Sequence, residues 1–233
     1  MSNKGRCRIC GKTYVSSGMS RHLLSCIDKE TMTDGIPERL EKLYEIHVTD
    51  KYQKDYWLFI EINGSEKLKT LDKFLREIWC ECCGHLSMFT INGSDYSCLP
   101  DSIYAEYDMN VSISKVLYEG LKFTYEYDFG SSTDLILTVK NVIRGKKIKD
   151  GIRLLARNEM PEDTCSVCKK EKAAYINTYA RSYDDVVFLC EKCNDLLNEG
   201  ELDIDVDPFA LRDVCNSPRM GVCGYCGESD VWD

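Results

Sequence analysis

Hydrophobic and polar positions between residues 43 and 150 follow two different periods. The stretches YEIHVTD and YWLFIEING alternate or run apolar in the manner of two strands. KTLDKFLREIWC places its apolar residues at the helical period and predicts a helix with Thr70 as its N-cap. HLSMFTING predicts a third strand that ends in an Asn92-Gly93 turn, and DYSCL predicts the strand that returns beside it.

The rest of this region predicts a short helix and a second pair of strands. SISKVLYEG has helical spacing and a glycine, Gly120, that would end the helix. LKFTYEYDFGSSTDLILTVKNVI predicts two strands joined by a turn around Gly130. This order has no regular alternation of strand and helix. It therefore predicts an α+β fold, a mixed or antiparallel sheet with helices on one face.

The composition changes on both sides of this region, which divides the chain into four segments. We predict a small zinc finger at 1–27, a polar linker at 28–40, an α+β domain at 41–150 and a second zinc module at 151–233.

The overall composition predicts a soluble cytoplasmic protein with a real core. Hydrophobic residues make up 43% of the 233 residues and charged residues 30%, which argues against global disorder. No apolar run reaches the roughly 18 residues that span a bilayer, and the N-terminus has no apolar segment typical of a signal peptide. We therefore expect no membrane partner.

The charge is divided unevenly along the chain. Five basic residues and no acidic ones lie in 1–27: Lys4, Arg6, Arg8, Lys12 and Arg21. Since the whole chain has a formal charge of −9, the remaining residues carry −14. The N-terminal segment could contact phosphates, whereas the body would be repelled by them.

Fourteen cysteines are present, and eight of them form four CxxC pairs. Thiolates with two residues between them fit a tetrahedral metal site, and without an export signal zinc is favoured over disulfides. The pairs are Cys7/Cys10, Cys165/Cys168, Cys190/Cys193 and Cys223/Cys226.

The first predicted site combines a CxxC pair with a helix. Its ligands are Cys7, Cys10, His22 and Cys26, because His22 and Cys26 share a helix face at i and i+4. Four protein ligands indicate a closed structural zinc site whose metal supplies the folding energy of the segment. A single finger of this kind suits contact with a protein or nonspecific contact with nucleic acid better than base reading.

The second predicted site has the ligands Cys165, Cys168, Cys190 and Cys193, in an arrangement that resembles a treble clef. Two zinc ions are therefore expected. A third ion could involve Cys223 and Cys226, but it would need two further ligands from among Cys215, Cys80, Cys82 and Cys83. Free buried cysteines are the alternative interpretation of this last pair.

Several motifs in order resemble the plasmid pRi ORF-three-like family. They are TLDKFLREIW, HLSMF with His85, Leu86 and Phe89, YDFG at 127–130, and NSPR at 216–219. The resemblance extends over about residues 41–228. It implies small archaeal or bacterial proteins of undefined function, in a subgroup that binds zinc and carries an N-terminal finger. It also implies a ubiquitin-like ββαββ core with extra strands, and no known reaction.

Three functions remain open from the sequence. The first is a non-enzymatic zinc-containing module that binds a protein or nucleic acid through the basic finger, with no small-molecule substrate. The second is a nucleic-acid-binding protein of a mobile element. The third, which we favour least, is an enzyme that uses His85 with Glu126, Asp128 or Asp134 for acid–base chemistry. Asp128 and Gly130 are equally typical of a hairpin turn.

Overall fold

A sheet of ten strands forms the body of the protein in the computed structural model, which describes residues 3–33, 40–99, 106–180 and 185–227. The strands in chain order are β1 Lys4–Cys7, β2 Thr13–Val15, β3 Leu40–Asp50, β4 Trp57–Asn63, β5 Ser87–Ile91, β6 Ser94–Ser97, β7 Tyr107–Asp108, β8 Lys122–Tyr127, β9 Thr133–Lys146 and β10 Ile152–Asn158. Their order across the sheet is β2-β1-β10-β4-β3-β9-β8-β5-β6-β7. All neighbours are antiparallel except β6 and β7.

In the part of the chain that the structure describes, four α-helices and a smaller sheet accompany this body. The helices are α1 Ser16–Thr33, α2 Leu68–Leu75, α3 Ile113–Val116 and α4 Glu191–Asn198. The smaller sheet has the order β12-β11-β13, from β11 Tyr175–Asn177, β12 Phe188–Leu189 and β13 Leu211–Asp213. Within the described ranges, no helix combines the length and the apolar character that crossing a membrane requires.

Strand β4 is buried on both faces and separates two hydrophobic clusters. Leu58, Ile60 and Ile62 face the main core, which also holds the apolar residues of α2 and α3. Trp57 and Phe59 point the other way and pack with α1, because successive side chains of a strand lie on opposite faces. The core helices α2 and α3 thus share one face, as predicted, and the helix of the finger covers part of the other.

The predicted strands and the turn at Asn92-Gly93 are present. Asn92 and Gly93 have φ of 51° and 81°, as a two-residue hairpin turn requires.

Two helix ends differ from the prediction. Helix α2 has Lys67, not Thr70, at its N-cap, because the Leu68 amide bonds the carbonyl of Val111 and tertiary pairing sets the helix start. The second helix end is that of α3, which ends at Val116, well before Gly120, because Leu117 is extended.

Two further differences concern the predicted segment boundaries. The stretch IRLLARN, which the composition places with the C-terminal module, forms β10 and lies inside the main sheet between β1 and β4. Its buried Leu155 and Ala156 belong to the same cluster as α1. Helix α1 continues to Thr33, within the predicted linker, and residues 34–39 of that linker lie outside the described residues.

Candidate metal centres

The four predicted ligands of the N-terminal segment come together at the end of the β1–β2 hairpin. Cys7 closes β1, Cys10 follows in the turn, and His22 and Cys26 lie one turn apart on α1. Their ligand atoms lie within 4.8 Å of one another, with 4.0 Å between Cys7 Sγ and Cys26 Sγ and 3.2 Å between Cys10 Sγ and His22 Nε2. Tetrahedral zinc with Zn–S bonds near 2.3 Å places its ligand atoms about 3.5–3.8 Å apart, so the cluster has the size of a zinc site.

The tight turn between Cys7 and Gly11 fixes the first two ligands. The Gly11 amide donates to the Cys7 carbonyl at 2.8 Å, and Gly11 has φ of 73°, which favours glycine. Burial, together with the neighbouring thiols, raises the pKa of Cys26 to about 12. Full ionisation of this cluster therefore requires a cation, which is the behaviour expected of a metal site.

Strand β1 is an integral strand of the main sheet. It pairs with β10 in the register Gly5↔Asn158 to Cys7↔Ala156. A Cβ atom at Gly5 would overlap the carbonyl oxygen of Arg157 and come within 2.5 Å of the Trp57 ring. This close approach requires glycine at the position, and it shows how tightly the finger packs on the body.

Helix α1 contributes the other half of this contact. Met19 and Leu23 are completely buried and pack in the cluster that contains Trp57 and Phe59 of β4. The apolar face of the finger helix is therefore used within the protein, and the finger has a fixed position on the sheet.

His47 lies beneath the start of α1. Its Nε2 is 2.9 Å from Ser16 Oγ, and its ring stacks on Phe59 with 4.3 Å between the ring centres. Burial, and secondarily the charge of Lys140, lowers the pKa of His47 to about 4. The imidazole is therefore neutral at pH 7 in the folded protein.

This neutral histidine predicts an acid-sensitive finger contact. The unfolded chain has a histidine pKa near 6.5 and binds more protons than the folded chain between pH 6.5 and 4, so stability falls as the pH falls through that range. From pH 7 to pH 5 we expect a loss of up to about 2 kcal/mol, at about 1.4 kcal/mol per pH unit. Urea unfolding of the wild type and of His47→Gln at both pH values measures it. The acid-sensitive thiolates are the same in both proteins, so they cannot cause a difference between them. An equal loss of stability in His47→Gln would therefore contradict the assignment of the acid sensitivity to His47.

The second predicted ligand set also assembles. Cys165 and Cys168 lie on a turn next to the Thr164–Lys172 bridge, Cys190 is the N-cap of α4, and Cys193 lies in its first turn. The four sulfur atoms lie within 4.8 Å of one another, with 3.9 Å between Cys168 and Cys190. A turn that faces a helix start is the arrangement the sequence predicts for this module.

The thiols of this second cluster differ in how readily they ionise. Burial opposes the charge of Cys165, but backbone amides that include those of Cys168 and Cys190 lower its pKa to about 6. Burial and the adjacent thiols raise the pKa of Cys193 to about 12. One thiolate is therefore ready at neutral pH, and a cation would be needed to ionise the whole set.

The last CxxC pair separates in the structure. Cys223 lies with Cys82, Cys83 and His85, whose ligand atoms are all within 4.8 Å, and Cys226 is not in this group among the described residues. The sequence interpretation that joins Cys223 to Cys226 is corrected here. Cys82 and Cys83 were among the further ligands considered for this pair, but His85 was not, because the group joins a CxCCxH stretch to a cysteine 138 residues away.

A buried ion pair lies directly beside this third group. Arg219 has no solvent exposure, and its Nη2 is 2.6 Å from Asp128 Oδ2. Its Nη1 donates to the Ser131 carbonyl at 2.8 Å and to Thr133 Oγ1 at 3.0 Å. Burial alone would raise the pKa of Asp128, but Arg219 and two backbone amides hold it below the usual value. The NSPR segment is thereby anchored against the YDFG turn.

The four residues proposed for acid–base chemistry do not form one site. His85 Nδ1 is 3.5 Å from Asp128 Oδ1, so these two meet. Glu126 accepts a hydrogen bond from Ser132, and Asp134 pairs with Lys51 at 3.5 Å. Because Glu126 alternates with the buried residues Tyr125 and Tyr127, it points to the other face of the sheet.

The donor sets of the three groups fit zinc. Each consists of cysteine sulfurs alone or of three sulfurs and one imidazole nitrogen, the donors of structural zinc sites. Each offers four ligands and so leaves no position for substrate.

A family model covers the central region, which contains most of the motifs. The chain has 16% identity and a TM-score of 0.44 to the crystal structure of MM3350, a protein of unknown function from Methanosarcina mazei Go1, covering 51% of this chain and 70% of that one. No curated protein matches. The family model of plasmid pRiA4b ORF-3-like proteins matches residues 42–186, which include His85 and Asp128 but not the finger or Arg219. The chain therefore belongs to the plasmid pRiA4b ORF-3-like family.

Proposed function

We propose that this protein is a non-enzymatic binding protein in which zinc folds the N-terminal finger and the C-terminal module, and in which the finger contacts an anionic macromolecule. Nucleic acid is the partner we test first. The proposal rests on one observation. The apolar side of the finger packs against the sheet, and the surface of the finger that remains exposed to solvent is cationic.

The burial pattern of the finger supports this division. Met19 and Leu23 are fully buried, whereas all five basic residues of the segment are exposed. They are distributed over β1, the hairpin turn and α1: Lys4, Arg6, Arg8, Lys12 and Arg21. A partner that meets this surface would meet positive charge, and the acidic body would confine that partner to the finger.

The zinc sites support a structural role rather than a catalytic one. A catalytic zinc ion keeps one position for water or substrate, and each of the two predicted sites already supplies four ligands. The pair formed by His85 and Asp128 is also next to cysteine ligands, where a carboxylate commonly orients a metal-bound histidine. This arrangement favours a binding protein over an acid–base enzyme.

The proposal predicts weak, salt-dependent binding of mixed-sequence RNA or DNA. With at most about five phosphate contacts, a plot of log K against log salt should have a slope no steeper than about −3.5 for single strands, at about 0.7 per contact. Fluorescence anisotropy of labelled 20-nucleotide strands with the zinc-loaded full chain, titrated with salt, measures it.

Matched charge variants make this experiment specific. Replacing Arg6, Lys12 and Arg21 with glutamine should lower affinity at least about tenfold and reduce the salt slope by about two to three. The control replaces Lys69, Lys122 and Lys170, exposed lysines outside the finger, with glutamine. Absence of binding at low salt, or equal losses in both variants, would contradict a nucleic-acid contact through the finger.

A further inference from the structure

The third Cys/His group has the dimensions of a metal site. Cys83 Sγ and Cys223 Sγ are 3.3 Å apart, and Cys223 Sγ is 3.7 Å from His85 Nε2. These separations match the 3.2–4.0 Å between ligand atoms in the two predicted sites. They also match the spacing around one tetrahedral ion and leave no room for a larger cluster.

The backbone on both sides of the group is shaped to bring these atoms together. Gly84, between Cys83 and His85, has φ of 74° and turns the loop so that residues on both sides face inward. Cys223 itself has φ of 54°, a left-handed conformation that costs a residue with a Cβ about 1 kcal/mol or more. Strain of this kind persists where other interactions hold the residue in place, and a metal bond to Cys223 would provide one.

The groups around these four residues have the hydrogen-bond pattern of a metal site. The nitrogen of His85 that faces away from the cysteines, Nδ1, is 3.5 Å from Asp128 Oδ1. Asp128 is in turn held by Arg219, whose Nη2 also donates to Cys82 Sγ at 3.4 Å. A carboxylate behind a histidine and an N–H donor to a thiolate are the usual outer partners of zinc ligands.

We propose that Cys82, Cys83, His85 and Cys223 bind a third zinc ion. Three thiolates and an imidazole favour zinc among the divalent ions. The ion would join the loop that contains Cys82, Cys83 and His85 to the C-terminal segment that contains Cys223. This site is independent of the partner of the finger.

The experiment counts zinc ions by native mass spectrometry in the full chain. We expect three ions in the wild type and two in Cys83→Ser and in Cys223→Ser. Cys226→Ser is the matched control, since Cys226 is three residues from Cys223 and outside the group. It should keep three ions. A wild type with two ions, or a Cys223→Ser variant with three, overturns the proposal.

A second measurement uses only the wild-type protein, in case a variant fails to fold. Cys83 and Cys223 are exposed, so iodoacetamide can reach both thiols when no metal holds them. We expect peptide mapping to show labelling at least about tenfold slower in the zinc-loaded protein than after chelation. Equal labelling rates, or a Cys83–Cys223 disulfide in the freshly purified chain, would overturn the site.

Discussion

Replacing Arg219 with methionine is expected to lower the free energy of unfolding by about 3–5 kcal/mol, the largest effect of any single substitution discussed for this protein. The side chain is completely buried, and its guanidinium contacts Asp128, Thr133, the Ser131 carbonyl and the face of the Tyr127 ring. Methionine fills much of the volume but leaves the Asp128 carboxylate without its charge partner. The free energy of unfolding falls because a buried charge is left without a partner, and not because a packing contact is lost.

Urea unfolding of the zinc-loaded chain tests this expectation. Arg212→Met is the matched control, because Arg212 is exposed and its Nη1 donates to the backbone carbonyls of Phe209 and Leu211. It should change stability by less than about 0.5 kcal/mol. The double variant Arg219→Met with Asp128→Asn should be more stable than the sum of the single losses predicts, since the charge is then removed with its partner. A loss below about 1 kcal/mol in Arg219→Met would contradict the role of the pair.

Loss of the finger metal is expected to release β1 and α1 while the main core stays folded. In Cys26→Ser one of the four ligands is gone, and the apolar contacts that still join the finger to the sheet are those of one small cluster, with Met19, Leu23 and Ile27 from α1. Zinc binding in small fingers is worth about 10–16 kcal/mol at pH 7, so the segment depends on it. The core between α2 and the sheet contains none of these residues and should be retained.

Amide hydrogen exchange separates these two regions. The amide of Arg8 bonds the Leu155 carbonyl at 2.8 Å, and the amide of Glu159 bonds the Lys4 carbonyl at 2.7 Å. We expect both amides to exchange at least about 100-fold faster in Cys26→Ser, an opening cost lower by about 3 kcal/mol. Amides of β3 and β4 should change little. Leu24→Ser, an exposed change on the same helix, serves as the control. Unchanged protection at Arg8 and Glu159 would show that the finger folds without this ligand.

Local patterns in the sequence were enough to predict most of the central sheet. Clear patterns of apolar positions mark helix α2 and strands β4, β8 and β9. The Asn92-Gly93 pair is typical of a two-residue hairpin turn and of few other conformations. The two complete ligand sets were also predicted, because their members lie in short repeated spacings that reflect the geometry of the metal.

Contacts between distant segments could not be predicted from these patterns. Strand β10 looks like the start of the C-terminal module, and only its pairing with β1 and β4 places it in the sheet. The grouping of Cys223 with Cys82, Cys83 and His85 depends on the path of the whole chain between them. The position of the finger on the sheet could not be predicted either. Met19 and Leu23 pack against residues of β4 and β10, which lie far from the 1–27 segment in the sequence.

Hydrogen exchange of the wild-type, zinc-loaded chain tests whether the finger is a fixed, metal-folded end of the sheet that presents positive charge to a partner. We expect the amides of Arg8 and Glu159 to be protected to a degree comparable with the amides of β10. Exchange at these two amides as fast as in an unstructured tether, with β3 and β4 protected, would contradict this expectation.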